Sequence, residues 1–220
     1  MTTNYDTLGY VEITWNDNDR DASWYAWRVY RRQAGVALLI GETLVDQASY
    51  EFRDYLADSG ATVEYTVVQV ADRFGTYVES AYVWSDPVVP TSTDYWLVVS
   101  NDGADWQSNT RLHLVRADAF DDEYEESTHK LAGRGRQKEY GTYFGKSGEI
   151  SCQLFDGATT ARAQRLALEA LKARQIDVYL RTPFGDIWLI ATGSLRFERD
   201  AGVGTREHGG LSFTYEEVAV

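Results

Sequence analysis

The chain has a single cysteine, Cys152, among its 220 residues, so no internal disulfide can form and nothing in its composition asks for an oxidising compartment. Methionine occurs once and proline only at positions 87, 90 and 183, which leaves long stretches free of helix or strand breakers. No apolar run approaches the ~20 residues that a membrane-spanning helix needs. Met1-Thr2-Thr3-Asn4-Tyr5-Asp6 lacks the basic region and apolar run of a secretory leader. The expectation is a soluble protein made in the cytoplasm, without membrane insertion. Histidine is limited to His113, His129 and His208, scattered and unaccompanied by cysteine or histidine at metal-ligand spacing, and no G-x-S-x-G elbow is present. Neither a metal, a cofactor nor nucleophilic catalysis is expected. Basic residues are also in deficit: 21 Lys and Arg stand against 34 Asp and Glu, a net charge of -13. Such a surface repels phosphates and anionic lipids over about a Debye length, ~8 Å at physiological salt.

What the chain does have is aromatic and β-branched residues, with 7 Trp, 15 Tyr and 8 Phe, a composition that favours strands. A length of 220 accommodates two small domains. Val11-Glu12-Ile13-Thr14-Trp15 alternates as an early strand, and Tyr25, Trp27, Val29 and Arg31 share one face of the next. Asp58-Ser59-Gly60 turns the chain into Val63-Glu64-Tyr65-Thr66-Val67, Arg73-Phe74-Gly75 makes a hairpin turn, and Tyr82-Val83-Trp84 reads as a closing strand. Asp86-Pro87-Val88-Val89-Pro90 reads as a stiff linker. In the order Trp15, Trp27, Tyr30, Leu56, Tyr65, residues 5 to 88 resemble a fibronectin type III sandwich, in which Tyr65 stands at the tyrosine-corner position.

After this, Tyr95-Trp96-Leu97-Val98-Val99 and Leu112-His113-Leu114-Val115 read as strands around the turn Asn101-Asp102-Gly103, joining the second domain's sheet. Ile150, Cys152 and Leu154 alternate with Ser151 and Gln153. From Thr160 to Arg174 the period lengthens to that of a helix, with Ala163, Leu166, Ala167, Ala170 and Leu171 as its apolar face and Thr159 or Thr160 as its cap. Val178 and Leu180 then alternate against Asp177 and Arg181, which face water. Thr182-Pro183-Phe184-Gly185-Asp186 turns the chain, Ile187 to Ile190 and Leu195 to Phe197 continue the sheet, and Leu211, Phe213 and Tyr215 form a last strand. The expected fold class is mainly β: a fibronectin III-like β-sandwich over residues 1–90, then a β-barrel-like domain over 91–220 with one α-helix near 160–174.

From Leu131 to Val220 the order of basic Gly-rich approach, strand, helix, hairpin Tyr179 to Gly185 and Gly193-Ser194-Leu195-Arg196-Phe197-Glu198-Arg199 resembles the C-terminal domain of minor or distal tail proteins of long-tailed actinobacterial phages. The resemblance implies a tail-tube-like virion structural protein with no enzymatic activity. Its copies would assemble as a trimeric or hexameric ring, beside other tail proteins of the tube, hub and tape-measure kinds, while DNA passes without specific binding. The implied location is the virion tail. The alternative is a carbohydrate- or receptor-binding module touching the host surface, with exposed tryptophans among Trp24, Trp96 and Trp106 as a sugar platform.

Three constellations carry candidate chemistry. Asn16-Asp17-Asn18-Asp19-Arg20-Asp21 alternates acids like a calcium loop, but Ala22 and Arg28 stand where that loop needs Gly and a bidentate Glu. Asp118, Asp121, Asp122, Glu123, Glu125 and Glu126 contain the carboxylates glycoside cleavage requires, yet read as a solvated acidic loop. Lys130-Leu131-Ala132-Gly133-Arg134-Gly135-Arg136-Gln137-Lys138 is Gly-rich and basic but lacks a P-loop ending. Its expected use is inter-subunit contact: Arg134, Arg136 and Lys138 of one copy against Asp121, Asp122 and Glu123 of the next, setting register more than strength.

Overall fold

The structure, a computed structural model, describes residues 1–5, 9–17, 20, 22–99, 109–112, 115–131, 135–154, 161–199 and 209–218. It is mainly β with one helix, and the chain divides into two compact units. The first comprises Met1–Arg111 with Arg181–Ile187, the second Leu112–Leu180 with Trp188–Val220. The division therefore falls elsewhere than between residues 90 and 91, and each unit draws on two stretches of chain.

In the first unit, seven strands run β1 (Thr2–Tyr5), β2 (Val11–Asn16), β3 (Trp24–Gln33), β4 (Val36–Thr43), β5 (Ser49–Asp54), β6 (Val63–Arg73) and β7 (Thr76–Glu79). They form a three-stranded sheet, β1-β2-β5, and a four-stranded sheet, β4-β3-β6-β7, the arrangement of a fibronectin III-like sandwich. The period-two pattern puts Val11, Ile13 and Trp15 of β2 inside with Trp27, Val29, Tyr50, Phe52, Val63 and Tyr65. Trp15 lies opposite Tyr50 in register and stacks on it at 5.1 Å and 7°. Phe52 occupies the space where a side chain at position 41 would be, since a Cβ there would come 2.2 Å from its ring; Gly41 is fixed by that contact.

The closing segment departs from the sequence reading. Tyr82-Val83-Trp84 is not a strand; the last strand is β7, and residues 80–88 follow β6 irregularly. Side-chain hydroxyls take the places of ladder partners there: Thr66 Oγ1 accepts from the Val83 amide at 3.2 Å, and Ser85 Oγ from the Tyr65 amide at 3.1 Å. Single backbone bonds run from the Ser80 amide to the Gln69 carbonyl at 2.9 Å and from the Ser85 amide to the Tyr65 carbonyl at 2.7 Å, and a reciprocal pair forms at Val63 and Val88, with both bonds at 2.8 Å.

Two buried charges organise this unit. Asp54 is fully buried, and its carboxylate accepts from Arg31 Nη1 at 2.8 Å, the Tyr65 hydroxyl at 2.9 Å and the Leu56 amide at 3.0 Å. Burial, and then the charge of Asp54, hold the Tyr65 phenol well above its ordinary range. Arg181 is also fully buried, where alternation had placed it on the solvent side. Its Nη1 donates to the carbonyls of Gly9 and Tyr55, and its Nη2 to that of Ala57. Beside these, Trp96 and Val98 of β8 (Tyr95–Val98) pack with Tyr10 and Tyr55. The short β9 (Thr110–Leu112) follows.

The second unit is built on β10 (Ala117–Leu131), β11 (Gly135–Leu154), α1 (Ala161–Arg174), β12 (Val178–Arg181), β13 (Ile187–Arg199) and β14 (Gly209–Glu217). These strands stand in the order β10-β11-β14-β13-β12. Ile150, Cys152 and Leu154 of β11 and Leu211, Phe213 and Tyr215 of β14 are buried, as alternation requires. The helix spans the expected residues but buries another stripe: Ala161, Gln164, Leu168 and Leu171 face inward, while Ala163, Leu166, Ala167 and Ala170 are exposed. An alanine-rich helix offers two apolar stripes, and packing selects the one carrying Leu168. Arg165 lies over the Phe197 ring at 6.0 Å and the Lys172 ammonium donates to the Thr192 carbonyl, so α1 is held over β13.

Replacing Arg181 with Ala strands three buried carbonyls, and unfolding free energy measured by urea denaturation should fall by about 3 kcal/mol or more. Arg196→Ala, at a site where the side chain is 75% exposed, should stay within about 0.5 kcal/mol of the parent. Glu79 gives a pH test. Burial alone would raise its pKa, but bonds from Tyr82, Arg28 and Tyr30 hold it below the usual carboxylate value. That stabilisation is present above the unfolded carboxylate range, near ~4.3, and disappears as pH falls through the lowered folded value. Glu79→Gln should therefore flatten the acid limb of a stability-against-pH curve.

Candidate assembly surface on the β10–β11 hairpin

The acidic run expected to be a loop is strand. β10 pairs antiparallel with β11 from Ala117 opposite Ser151 to Leu131 opposite Gly135, with irregularities around Tyr124. Asp and Glu are poor strand formers, and the long partner strand overrides that local preference. β14 pairs with β11 only from Ser147 to Leu154. Among the described residues, the part of the hairpin beyond Lys146 therefore pairs only with itself. At ~3.3 Å per residue it is a two-stranded arm of about 35 Å.

The proposed contact residues fall at the two ends of this arm. Asp121, Asp122 and Glu123 lie opposite Ser147, Lys146 and Gly145 at its root. Arg136 lies opposite Lys130 and Lys138 opposite Thr128 near its tip, while Arg134 lies outside the described residues. Thr128 is five positions from Glu123, so roots and tips of one hairpin are separated by at least ~17 Å and do not meet along it. At the root, the Lys146 ammonium bonds the Asp122 carboxylate at 2.5 Å and sits 4.6 Å from the Phe120 ring centre and 5.7 Å from that of Trp188. Phe120 meets Trp188 edge-on at 5.3 Å, and Trp188 stacks with Tyr215 at 6.3 Å.

Register also defines which acids share a face. Asp121, Ser147, Glu216 and Ala191 form one row across β10, β11, β14 and β13, and Ala119, Glu149 and Thr214 form the second row away. Both rows point to the face opposite Tyr215 and Ile150. They line a groove of about 640 Å³, whose floor is open because Ala119, Ser147, Ala191 and Gly193 are small. A Cβ on Gly193 would meet Thr214 Oγ1 at 2.2 Å. Asp121, Glu149 and Glu216 are the charged residues of this lining, and it includes no Lys or Arg. The groove therefore carries negative potential and suits cationic side chains. Asp121 and Asp122, adjacent on a strand, point to opposite faces.

Other candidates are placed as follows. Among the described residues no group of three or more His, Cys, Asp or Glu is arranged to hold a metal ion. In the segment compared with a calcium loop, Asp17 pairs with Arg20 at 3.5 Å, and Asn18, Asp19 and Asp21 lie outside the described residues. Burial pushes the Cys152 thiol up to about 12, so it is a core residue without nucleophilic character. Trp96 is buried, Trp24 half-buried, and Trp106 lies outside the described residues. Glu149, Glu216 and Lys146 were not singled out from sequence. The first two were readable as outward positions of alternating strands, but the adjacency of β11 and β14 was not.

Taken with the fold, these features define a two-unit, mainly β protein with a sandwich, a helix-backed sheet and a long hairpin beside an acidic groove. No protein-family model matches the chain, and no curated protein matches it.

Gly148 is the test of this geometry. A Cβ there would lie 2.3 Å from the Ala119 carbonyl and 2.9 Å from the ring of Tyr215, its β14 neighbour in register. Gly148→Ala should cost about 1–3 kcal/mol through overpacking, and limited proteolysis should show earlier cleavage within β10.

Proposed function

We propose that this chain is a structural component of a phage tail, a minor or distal tail protein whose copies close into a ring by laying the basic arm tip of one copy on the acidic groove of the next. The observation that carries the reading is the arm itself. A two-stranded hairpin is marginally stable alone in water, so one of about 35 Å asks for a partner surface. Its tip sequence holds Lys130, Arg134, Arg136 and Lys138, and the groove holds Asp121, Glu149 and Glu216. Tip and groove are different surfaces, so their pairing is head-to-tail, the kind of contact that closes into a ring when the rotation between copies permits.

Threefold or sixfold closure, neighbours of the tube, hub and tape-measure kinds, and a place in the virion tail belong to the same proposal. A net charge of -13 suits a conduit wall along which DNA passes without adhering. Catalysis has no part in it.

Light scattering after size exclusion tests the reading. The parent chain should form a discrete oligomer whose midpoint concentration rises with salt. Each exposed ion pair contributes only about 0–1 kcal/mol, so Arg136→Glu alone should weaken assembly several-fold. Arg136→Glu combined with Lys138→Glu should abolish it, and Asp121→Lys with Glu149→Lys should partly restore it. An oligomer indifferent to salt and to both pairs of substitutions would overturn the proposal, as would a parent chain that is monomeric at all concentrations.

A further inference from the structure

Tyr25 and Tyr77 approach each other across β6 in the first unit. Tyr25 stands at the irregularity of β3 between Trp24 and Ala26, and Tyr77 on β7 lies opposite Asp72 of β6. Their ring centres are 4.5 Å apart and their planes 40° from each other. That separation is at the close end of the ~4.5–7 Å range of aromatic pairs, so carbons of one ring touch carbons of the other. The two hydroxyls also bond each other, and that bond is the main reason the Tyr77 phenol stands above its ordinary range. Hydroxyls joined in this way bring the ring edges beside them, the ortho carbons, together. Tyr77 is 51% exposed and Tyr25 half-buried, so the pair is open to solvent.

We propose that Tyr25 and Tyr77 form a modification site, at which a one-electron oxidant of the peroxidase class joins them as dityrosine. Each phenol gives up one electron and one proton, and hydrogen peroxide, taking up both electrons and both protons, leaves as two waters. The two phenoxyl radicals form a carbon–carbon bond between their ortho carbons. The hydrogens on those carbons move to the oxygens and restore both hydroxyls, so the chain loses two hydrogens in all. Geometry selects this pair over the other close tyrosine pairs among the described residues. Tyr10 and Tyr55, with ring centres 4.9 Å apart, are 9% and 2% exposed and shielded from an oxidant. Tyr30 and Tyr82 meet edge-on at 5.2 Å and 62°, and the Glu79 carboxylate holds both hydroxyls, so neither ring is free to turn its ortho edge to the other. For Tyr25 and Tyr77 a rotation of the side chains suffices, and partners held in place couple faster than partners on separate copies. The link ties β7, the last strand of its sheet, to β3 across β6.

This inference rests on the sandwich alone and is separable from the assembly reading by working in the Arg136→Glu, Lys138→Glu chain. Treated with a peroxidase and hydrogen peroxide, that chain should gain the blue fluorescence of dityrosine and lose the mass of two hydrogens while staying a single chain. Digestion should then yield a linked peptide pair containing Tyr25 and Tyr77. Tyr77→Phe keeps the ring and removes the phenol, and should lower the fluorescence gain at least about tenfold, whereas Tyr82→Phe should leave it unchanged. The linked chain should also unfold at higher urea, because the bond closes the loop from Tyr25 to Tyr77 in the unfolded state, as a disulfide would. Four results would each overturn the inference: no gain where free tyrosine in the same reaction forms dityrosine, a gain that survives Tyr77→Phe, a link mapped to another pair, or dityrosine confined to cross-linked dimers.

Discussion

Asp54 sits where the two sheets of the sandwich are tied together, with no exposed surface. An ion taken out of water costs several kcal/mol unless its remaining bonding capacity is met. Here the carboxylate stands at the end of β5 in one sheet, Arg31 and Tyr65 come from β3 and β6 in the other, and the Leu56 amide follows in the chain. These donors satisfy the charge in the observed placement of the two sheets. The hydrophobic core, Trp15 and Tyr50 with Phe52 and Val63, supplies most of the stabilisation, but it tolerates shifts that the carboxylate does not. Arg181 adds a buried cation nearby. Its guanidinium is met by the carbonyl dipoles of Gly9, Tyr55 and Ala57, and Gly9 is held there because a Cβ would lie 2.8 Å from Ser92 Oγ. Arg181–Ile187 falls within the first unit.

The second unit uses charge in the opposite way, on its surface. Lys146 is held by Asp122 and by the faces of Phe120 and Trp188, so the hairpin root has a neutral, aromatic side. On the other face of the same rows, Asp121, Glu149 and Glu216 remain as an acidic hollow. Strand alternation is what separates the two: Asp121 and Asp122 are neighbours in sequence and belong to different surfaces. A cluster of acids counted along the chain overstates how many act together.

Much of the fold was legible because its signal is local. Ile150, Cys152 and Leu154, and Leu211, Phe213 and Tyr215, are buried as their period of two requires, and the turn at Thr182 to Asp186 forms around Gly185 with its φ of 99°. The helix span is likewise written in its spacing, but not which of two alanine-bearing stripes packs inward. β10 escaped notice because a strand of Asp and Glu has no local strand signature; its long partner makes it one. Arg181 escaped because its partners are backbone carbonyls, which no residue type announces. The candidate groove failed for a related reason, since Glu149 and Glu216 become neighbours only through the pairing of β11 with β14.

On the assembly reading, weakness of the individual contacts is what makes closure selective. Ion pairs between an arm tip and an acidic groove are solvated and contribute about 0–1 kcal/mol each, so an open pair of subunits dissociates readily. A subunit in a closed ring is held on both sides, and the second contact forms at the high effective concentration set by the first. Rings then accumulate over open chains, although no contact is strong. Such selection requires that arm and groove keep a fixed geometry, because a flexible arm would spread that effective concentration over many positions. The glycine contacts at the hairpin root bear on this. Gly148 lets the Tyr215 ring lie across β11 beside Ala119, and Gly145, with its φ of 111°, brings the chain against Glu217, whose carboxylate accepts from the Lys146 amide at 3.0 Å. The root is thereby clamped where the arm leaves the sheet, and the arm's direction is set by the same rows that shape the groove.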